Sequence, residues 1–480
     1  MTKIIVRQRI IAIALAITVV LSSCGQAQPT ATSAPTPTKS PVPTASPAPT
    51  RTPEPLPTQT PMLHLQVPND DVPTIQAAIH AARDGDEIVV APGTYKENID
   101  FLGKNITLRS SDPDDAEIVA ATIIDGGSNG AVVTFRNGET VKAVLKGFTI
   151  TNGNGNAYLP DPDRVERVCR GSLFASSDVK RFCGGGIVVD GAWPTIEGNV
   201  ISGNKVRHGG AGIFVTSKAF PTIRGNTITG NEASAGGAIF VIDGAWPTIE
   251  GNVISDNLAT VHGGGILVEL TAAPQIKGNT ITGNRGNQIG GGIVVFNYAM
   301  AAIQGNILRE NYSGEGGGAL FLGASSAATV QDNMIVANRG TLGGAIFCEL
   351  ESELTVEGNR FDGNEASFSG GAIDTGGCLV KATDNTFTGN YADFGGGIND
   401  TGNPLMRLED NVFIGNKARL GGGTRHVGQA SAILVRNLFQ DNVAADAGGA
   451  VWISHEFTLN DPQDNRYSGN QPDDVYLEPE

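Results

Sequence analysis

From residue 184 onward the apolar residues come in short pieces of three to five, separated by Gly and Asn. Ala238-Ile239-Phe240-Val241 is one such piece, Pro247-Thr248-Ile249-Glu250 a second and Val253-Ile254-Ser255 a third. Pieces this short cannot present the 3.6-residue period of a helix, whereas each suffices for a strand. The pattern then repeats. Seven-residue segments flanked by Asn, beginning GNVISGN at 198–204 and ending DNRYSGN at 464–470, recur every 26 or 27 residues with one interval of 28. Residues 188–204 (VVDGAWPTIEGNVISGN) and 241–257 (VIDGAWPTIEGNVISDN) are nearly the same sentence written twice. Self-similarity at this period predicts a solenoid. Three short strands per turn predict an all-β, single-stranded parallel β-helix. Its roughly 13 coils, stacked ~4.8 Å apart, would make a rod of ~60 Å.

Stacking fixes which positions face inward. Ile201, Ile228, Ile254, Ile281, Leu308, Ile335, Phe361, Phe387, Phe413, Phe439 and Tyr467 occupy one slot in successive coils and predict a core ladder. The flanking Asn residues are expected at bends, where left-handed backbone is tolerated and stacked amides can bond to one another. Ahead of the repeats, Ile75, Ala78, Ile79 and Ala82 share one face of a predicted helix over 72–83. With Pro73 in its first turn it reads as a cap over the otherwise open end of the β-helix, within an N-terminal cap region 62–100.

The first sixty residues are different in kind. Residues 1–23 combine Lys3, Arg7 and Arg9 with an apolar run from Ile10 to Leu21, too short to span a bilayer. This is an export signal. Residues 24–61 are mostly Pro, Thr, Ser and Ala, a composition that favours an extended tether. The folded domain is expected over 62–480, with repeats at 184–470 and an insertion at 152–183. Setting Cys24 aside leaves Cys169, Cys183, Cys348 and Cys378, an even number in an exported chain. Cys169–Cys183 is the expected disulfide, and Cys348–Cys378 a further pairing left open.

The net charge of −16 excludes a phosphate-binding surface and hence nucleic acid as a partner. Candidate chemistry appears where the ladder changes character. Counting from the Gly-Gly pair, two positions of the first strand are apolar in coil after coil until Asp374-Thr375, Asn399-Asp400 and Arg425-His426, after which Trp452-Ile453 restores the pattern. Stacking would file Asp374, Asn399 and Arg425 in one column and Thr375, Asp400 and His426 in the next. A charge pointing inward needs a partner. As an acid–base site, His426 or Asp400 would be the base and Arg425 would neutralise a uronate carboxylate, with Asp374 beside it. The alternative is a self-satisfied polar patch. A second candidate surface is the aromatic run Trp193, Phe220 and Trp246, each before a proline in consecutive coils, whose faces could stack on sugar rings. The insertion 152–183, with Arg164, Arg167, Arg170, Lys180 and Arg181, is a third.

Three resemblances follow from these residues. LSSC at 21–24 resembles the lipobox of bacterial lipoproteins, which implies lipidation of Cys24 and a membrane anchor. TIQAAIHAARDGDEIVVAPGTYKENI and LKGFTITNGNG resemble the opening of right-handed, pectin-lyase-like parallel β-helix proteins, which implies a right-handed coil. The GGAI and FxxN pairs resemble the repeats of polymorphic outer-membrane proteins. The catalytic segments of pectin methylesterases and polygalacturonases are missing, and the calcium-binding nonapeptide does not recur. No cofactor is required, no metal ligands are assigned, and Ca²⁺ is the ion left open. The expected protein is therefore a monomeric, lipid-anchored, cell-surface or periplasmic β-helix that binds polysaccharide or another surface partner without catalysis. The ligand-facing residues would be Trp193, Phe220, Trp246 and Asn399. The alternatives are a polysaccharide lyase using Asp374, Asp400, Arg425 and His426, or a structural spacer.

Overall fold

A computed structural model describes residues 63–155, 182–349, 351–402, 405–428 and 431–479. The expected lipidation site Cys24, the tether and most of the insertion lie outside the described residues.

The chain winds into a right-handed parallel β-solenoid of about 14 turns. Three long parallel sheets run its length. The first has 15 strands, from His64–Val67 to Thr458–Gln463; the second and third have 14 each, ending at Arg466–Ser468 and Val475–Leu477. Successive strands pair in register, as in Thr195↔Thr222 and Thr222↔Thr248, so residues one repeat apart are neighbours. The expected slot is a core ladder. Ile201 to Phe439 are buried, with Tyr467 half-buried at the end. Phe361, Phe387, Phe413 and Phe439 stack face to face at 4.6–4.8 Å.

Two features depart from the sequence reading. A fourth, shorter sheet of six strands, Glu232–Ala235 to Glu365–Ser369, adds a strand to the middle coils, and Lys417–Leu420 pairs with Val443–Ala447 farther on. The outward column of the third sheet (Phe214, Phe240, Leu267, Val294, Phe321) is consequently buried in a second apolar cluster of its own. Both columns of that sheet are interior, not one. The second departure concerns the bends. The left-handed residue is the one before each Asn, usually Gly but also Asp332, Asp384, Asp410 and Arg436. The Asn itself is buried. Its backbone N–H and its Nδ2 both donate to Oδ1 of the Asn one coil on, at 2.8–3.0 Å from Asn306 to Asn333 and from Asn311 to Asn338.

The capping helix α1 spans Ile75–Ala81, shorter than expected, because Thr74 rather than Pro73 sets its start by accepting from the Ala77 N–H. Glu97 accepts the next two free N–H groups, from Ile75 and Gln76, and Lys104 Nζ donates to the carbonyls of Ile79, His80 and Ala82. Both helix ends are thus satisfied by side chains. The strand preceding it, His64–Val67, pairs with Glu87–Val90 and is the true first strand. Cys348 and Cys378 form a disulfide, with Cα atoms 5.8 Å apart. Cys183 is also disulfide-bonded, while Cys169 lies outside the described residues.

Candidate functional site

The polar interruption of the third sheet assembles as stacking requires. Asp374↔Asn399↔Arg425 and Thr375↔Asp400↔His426 are in register across three rungs. In the inner column His426 is fully buried and Asp400 is 2% exposed. Asp400 Oδ1 accepts from Thr375 Oγ1 at 3.0 Å, and its Oδ2 lies 3.4 Å from His426 Nδ1. His426 Nε2 lies 3.1 Å from Thr424 Oγ1, two residues back on the same strand and hence on the same side. Thr424 belongs to this network although nothing in the column count had pointed to it; the period of two was the available signal.

The other column is covered by the chain leading into it. Asp374 Oδ1 accepts from Asn399 Nδ2 at 2.7 Å and its Oδ2 accepts from Ser369 Oγ at 2.6 Å. Burial pushes the Asp374 carboxyl up to about 6, against the pull of these two bonds. Arg425 Nη1 donates to Asn399 Oδ1 at 2.9 Å, and its guanidinium lies between the rings of Phe394 and Trp452 at 4.5 and 5.0 Å. Desolvation lowers Arg425 to about 10. The four expected acid–base residues therefore stand on adjacent rungs but on opposite faces of the sheet: Asp374 and Arg425 belong to one network through Asn399, and Asp400 and His426 to another. Asp374, Asp400 and His426 are all buried and Arg425 alone is partly exposed.

The aromatic run lies on the turns that lead into the first sheet, two residues before the strands Thr195–Glu197, Thr222–Arg224 and Thr248–Glu250. Trp193 stacks on Phe220 at 4.8 Å with planes 5° apart, and Phe220 on Trp246 at 5.3 Å and 18°. The rings spend their faces on one another. What they present outward is a wall of ring edges, ending at Trp246, which is 51% exposed. The register continues Trp246 into Ala273, so the wall drops to a step one coil on. Beyond the step lies a trough of about 400 Å³, lined by Ala273, Gln275, Met300, Ala302, Thr329 and Glu353 among others. The aromatic run does not point to the trough; its signal in the sequence is the replacement of the rings by Ala273, Met300 and Ala327 in the same column.

Between 81 and 471 the chain matches, in the overlapping stretches 81–313, 176–372 and 265–471, the family described as periplasmic copper-binding protein (NosD). The chain belongs to the NosD family. Among solved structures it is similar to the receptor-binding domain of the Siphovirus 9NA tailspike. The identity is 10% and the TM-score 0.28, over 87% of this chain and 76% of that one, too loose a likeness to carry an argument. Comparison with curated proteins gives no match.

The family's description raises copper, whose sites are built from imidazole, thiolate and thioether groups. The described residues of this NosD-family chain do not fit such a centre. Among the described residues no three His, Cys, Asp or Glu come together to hold a metal ion. Cys183, Cys348 and Cys378 are all tied up in disulfides. Met300 and Met334 lie on different sheets, and Met406 points into the core. His426 is committed to Asp400 and Thr424, and His80 Nδ1 lies 2.8 Å from the Gln76 carbonyl. The calcium left open by the sequence likewise finds no ligand cluster among these residues. No helix among them is long and apolar enough to cross a membrane.

Proposed function

We propose that this NosD-family chain is an exported, non-catalytic β-helix protein that binds polysaccharide on the outer face of its first sheet, held near a membrane through Cys24. The observation that carries the reading is the Trp193–Phe220–Trp246 stack, three large rings at the entry to the first sheet whose exposed end is Trp246. Rigid aromatic surface of this kind binds sugars at little conformational cost. Thr195, Thr222 and Thr248 run beside it and offer hydroxyl donors and acceptors along the same line. Export is supported by the N-terminal signal and by the periplasmic description of the family. The non-catalytic part is supported by the burial of His426 and Asp400, since a general base must reach its proton.

A polysaccharide panel probed with the wild-type protein and with Trp193→Ala and Trp246→Ala tests this. One polysaccharide class should bind, and each variant should bind it at least ~10-fold more weakly, as loss of a buried aromatic contact of ~1.5 kcal/mol requires. Binding unchanged in both variants would overturn the role of the stack. Release of unsaturated uronate from any polymer would overturn the non-catalytic assignment.

A further inference from the structure

The trough beyond Trp246 has a shape and lining that specify what lies in it. Its residues come from four consecutive rungs, 273–275, 300–302, 327–329 and 353–355. At ~4.8 Å per rung the floor runs ~14 Å along the axis, and alternate residues on a strand make it ~7 Å wide. A long narrow floor suits a linear chain lying parallel to the axis, and suits neither a branched nor a globular ligand. At about 400 Å³ the trough is in the range of small-molecule sites, and its lining has their character: mostly apolar, with a few placed polar groups. Met300, 56% exposed, and Ala302 give the apolar floor. Gln275, Thr329 and Thr355 supply amide and hydroxyl groups, and the exposed Trp246 stands one rung before Ala273, next to the near end.

The charge is decisive. Glu353 is the single ionisable residue lining the trough, and it has no ion-pair partner among the described residues. The cations nearest in register are elsewhere engaged or displaced: Lys277 pairs with Glu250 at 3.2 Å, and Lys381 stands one rung past Thr355. A carboxylate aimed at a ligand repels an acidic sugar, whereas its two oxygens can accept from neighbouring hydroxyls of a neutral one. The net charge of −16 pushes the same way.

We infer that the trough is the main binding site for an unbranched, neutral polysaccharide that lies along the solenoid axis, with Trp246 stacking on one sugar ring and Glu353 accepting hydroxyl hydrogen bonds from another. This rests on the polysaccharide-binding reading above, and it narrows the ligand class to neutral sugar.

Calorimetric titration with neutral linear oligosaccharides (glucan, mannan and chitin series) and with oligogalacturonate tests it. The wild type should bind a neutral series at least tenfold tighter than oligogalacturonate. Ala302 is exposed on the trough floor, so Ala302→Trp fills the trough without touching the core, which an unchanged thermal melt verifies. It should weaken the neutral ligand at least tenfold. Glu353→Gln should weaken it three- to tenfold and narrow the discrimination against oligogalacturonate. Should Trp246→Ala weaken binding while Ala302→Trp leaves it intact, the trough assignment falls and the aromatic reading stands. A preference for oligogalacturonate overturns the neutral class. A wild type that binds no glycan overturns both readings together.

Discussion

Glu269 sits on the outer column of the third sheet, in register between Ile242 and Phe296, 1% exposed, with neither carboxylate oxygen partnered. Burial pushes its carboxyl up to about 8. A folded-state value above the unfolded one means that the unfolded chain gives up this proton first. The group is therefore neutral and without penalty at pH 4, and costs stability progressively as pH rises from the unfolded value through about 8. At pH 7 the cost is about 3 kcal/mol, taking 1.36 kcal/mol per pH unit. Asp374 adds a penalty of the same sign between its ordinary value and about 6. Thermal melts should show Glu269→Gln more stable than wild type at pH 7.5 and no more stable at pH 4. An equal effect at both pH values would mean that the carboxyl is neutral throughout or solvated. The same residue illustrates what a one-dimensional reading misses. The sequence places Glu269 after an apolar strand, where an exposed carboxylate is the default, and only the covering of that face makes it costly.

Among elements, the two Asn ladders hold the corners of the coil. In the first, Asn306 Nδ2 donates to Ile276 O, Gln304 O and Asn333 Oδ1, while its own Oδ1 accepts two bonds from Asn279. Each amide thus satisfies backbone groups of its own coil and of the preceding one, and bonds the side chain of the Asn in the next. Asn306→Ala strands several buried groups at once, each costing ~1 to 3 kcal/mol. Denaturant unfolding should register a loss of at least about 3 kcal/mol, whereas Thr280→Ala, half-buried on the second sheet, should stay within about 0.5 kcal/mol. A loss at Asn306 no larger than at Thr280 would show that water replaces the ladder. The ladders were visible in the sequence as a spacing, because a corner repeated in every coil must be met by the same residue each time. The bonding of amide to amide follows from that spacing, but the backbone geometry of the corner does not. The left-handed backbone belongs to the residue before each Asn, and a conformational angle leaves no mark where that residue is Asp332 or Arg436 rather than Gly.

Over the whole molecule the interactions run between nearest-neighbour coils, so stability is close to a sum over coils and their interfaces. Deleting residues 279–305 removes one full period and puts Asn306 in the place of Asn279. The shortened chain should fold with an unchanged far-ultraviolet spectrum and a modestly lower melting temperature. Deleting half a period instead should lower the melting temperature far more, because at the junction the strands and Asn corners of one coil would be set over unlike parts of the next. A full-period deletion that fails to fold would refute register as the organising rule. The trough is also a property at this scale, since no single coil contains it. Four rungs contribute two or three residues each, and suitable residues have to coincide across more than eighty positions of sequence to open it.

Repetition explains which features were legible in advance. A period of 26 or 27 residues, an apolar slot and a recurrent corner determine that coils stack, which residues face the axis, and that Asp374, Asn399 and Arg425 stand in file. Those follow from the sequence alone, because in a solenoid the distance along the chain dictates proximity in space. What covers an outward face is not dictated that way. The fourth sheet buries Asp374 and closes the network around it, the rings of Trp193, Phe220 and Trp246 turn their faces to each other, and the trough opens beyond them. These were decided only in the tertiary structure, since side-chain orientation and burial depend on groups brought in from several coils at once.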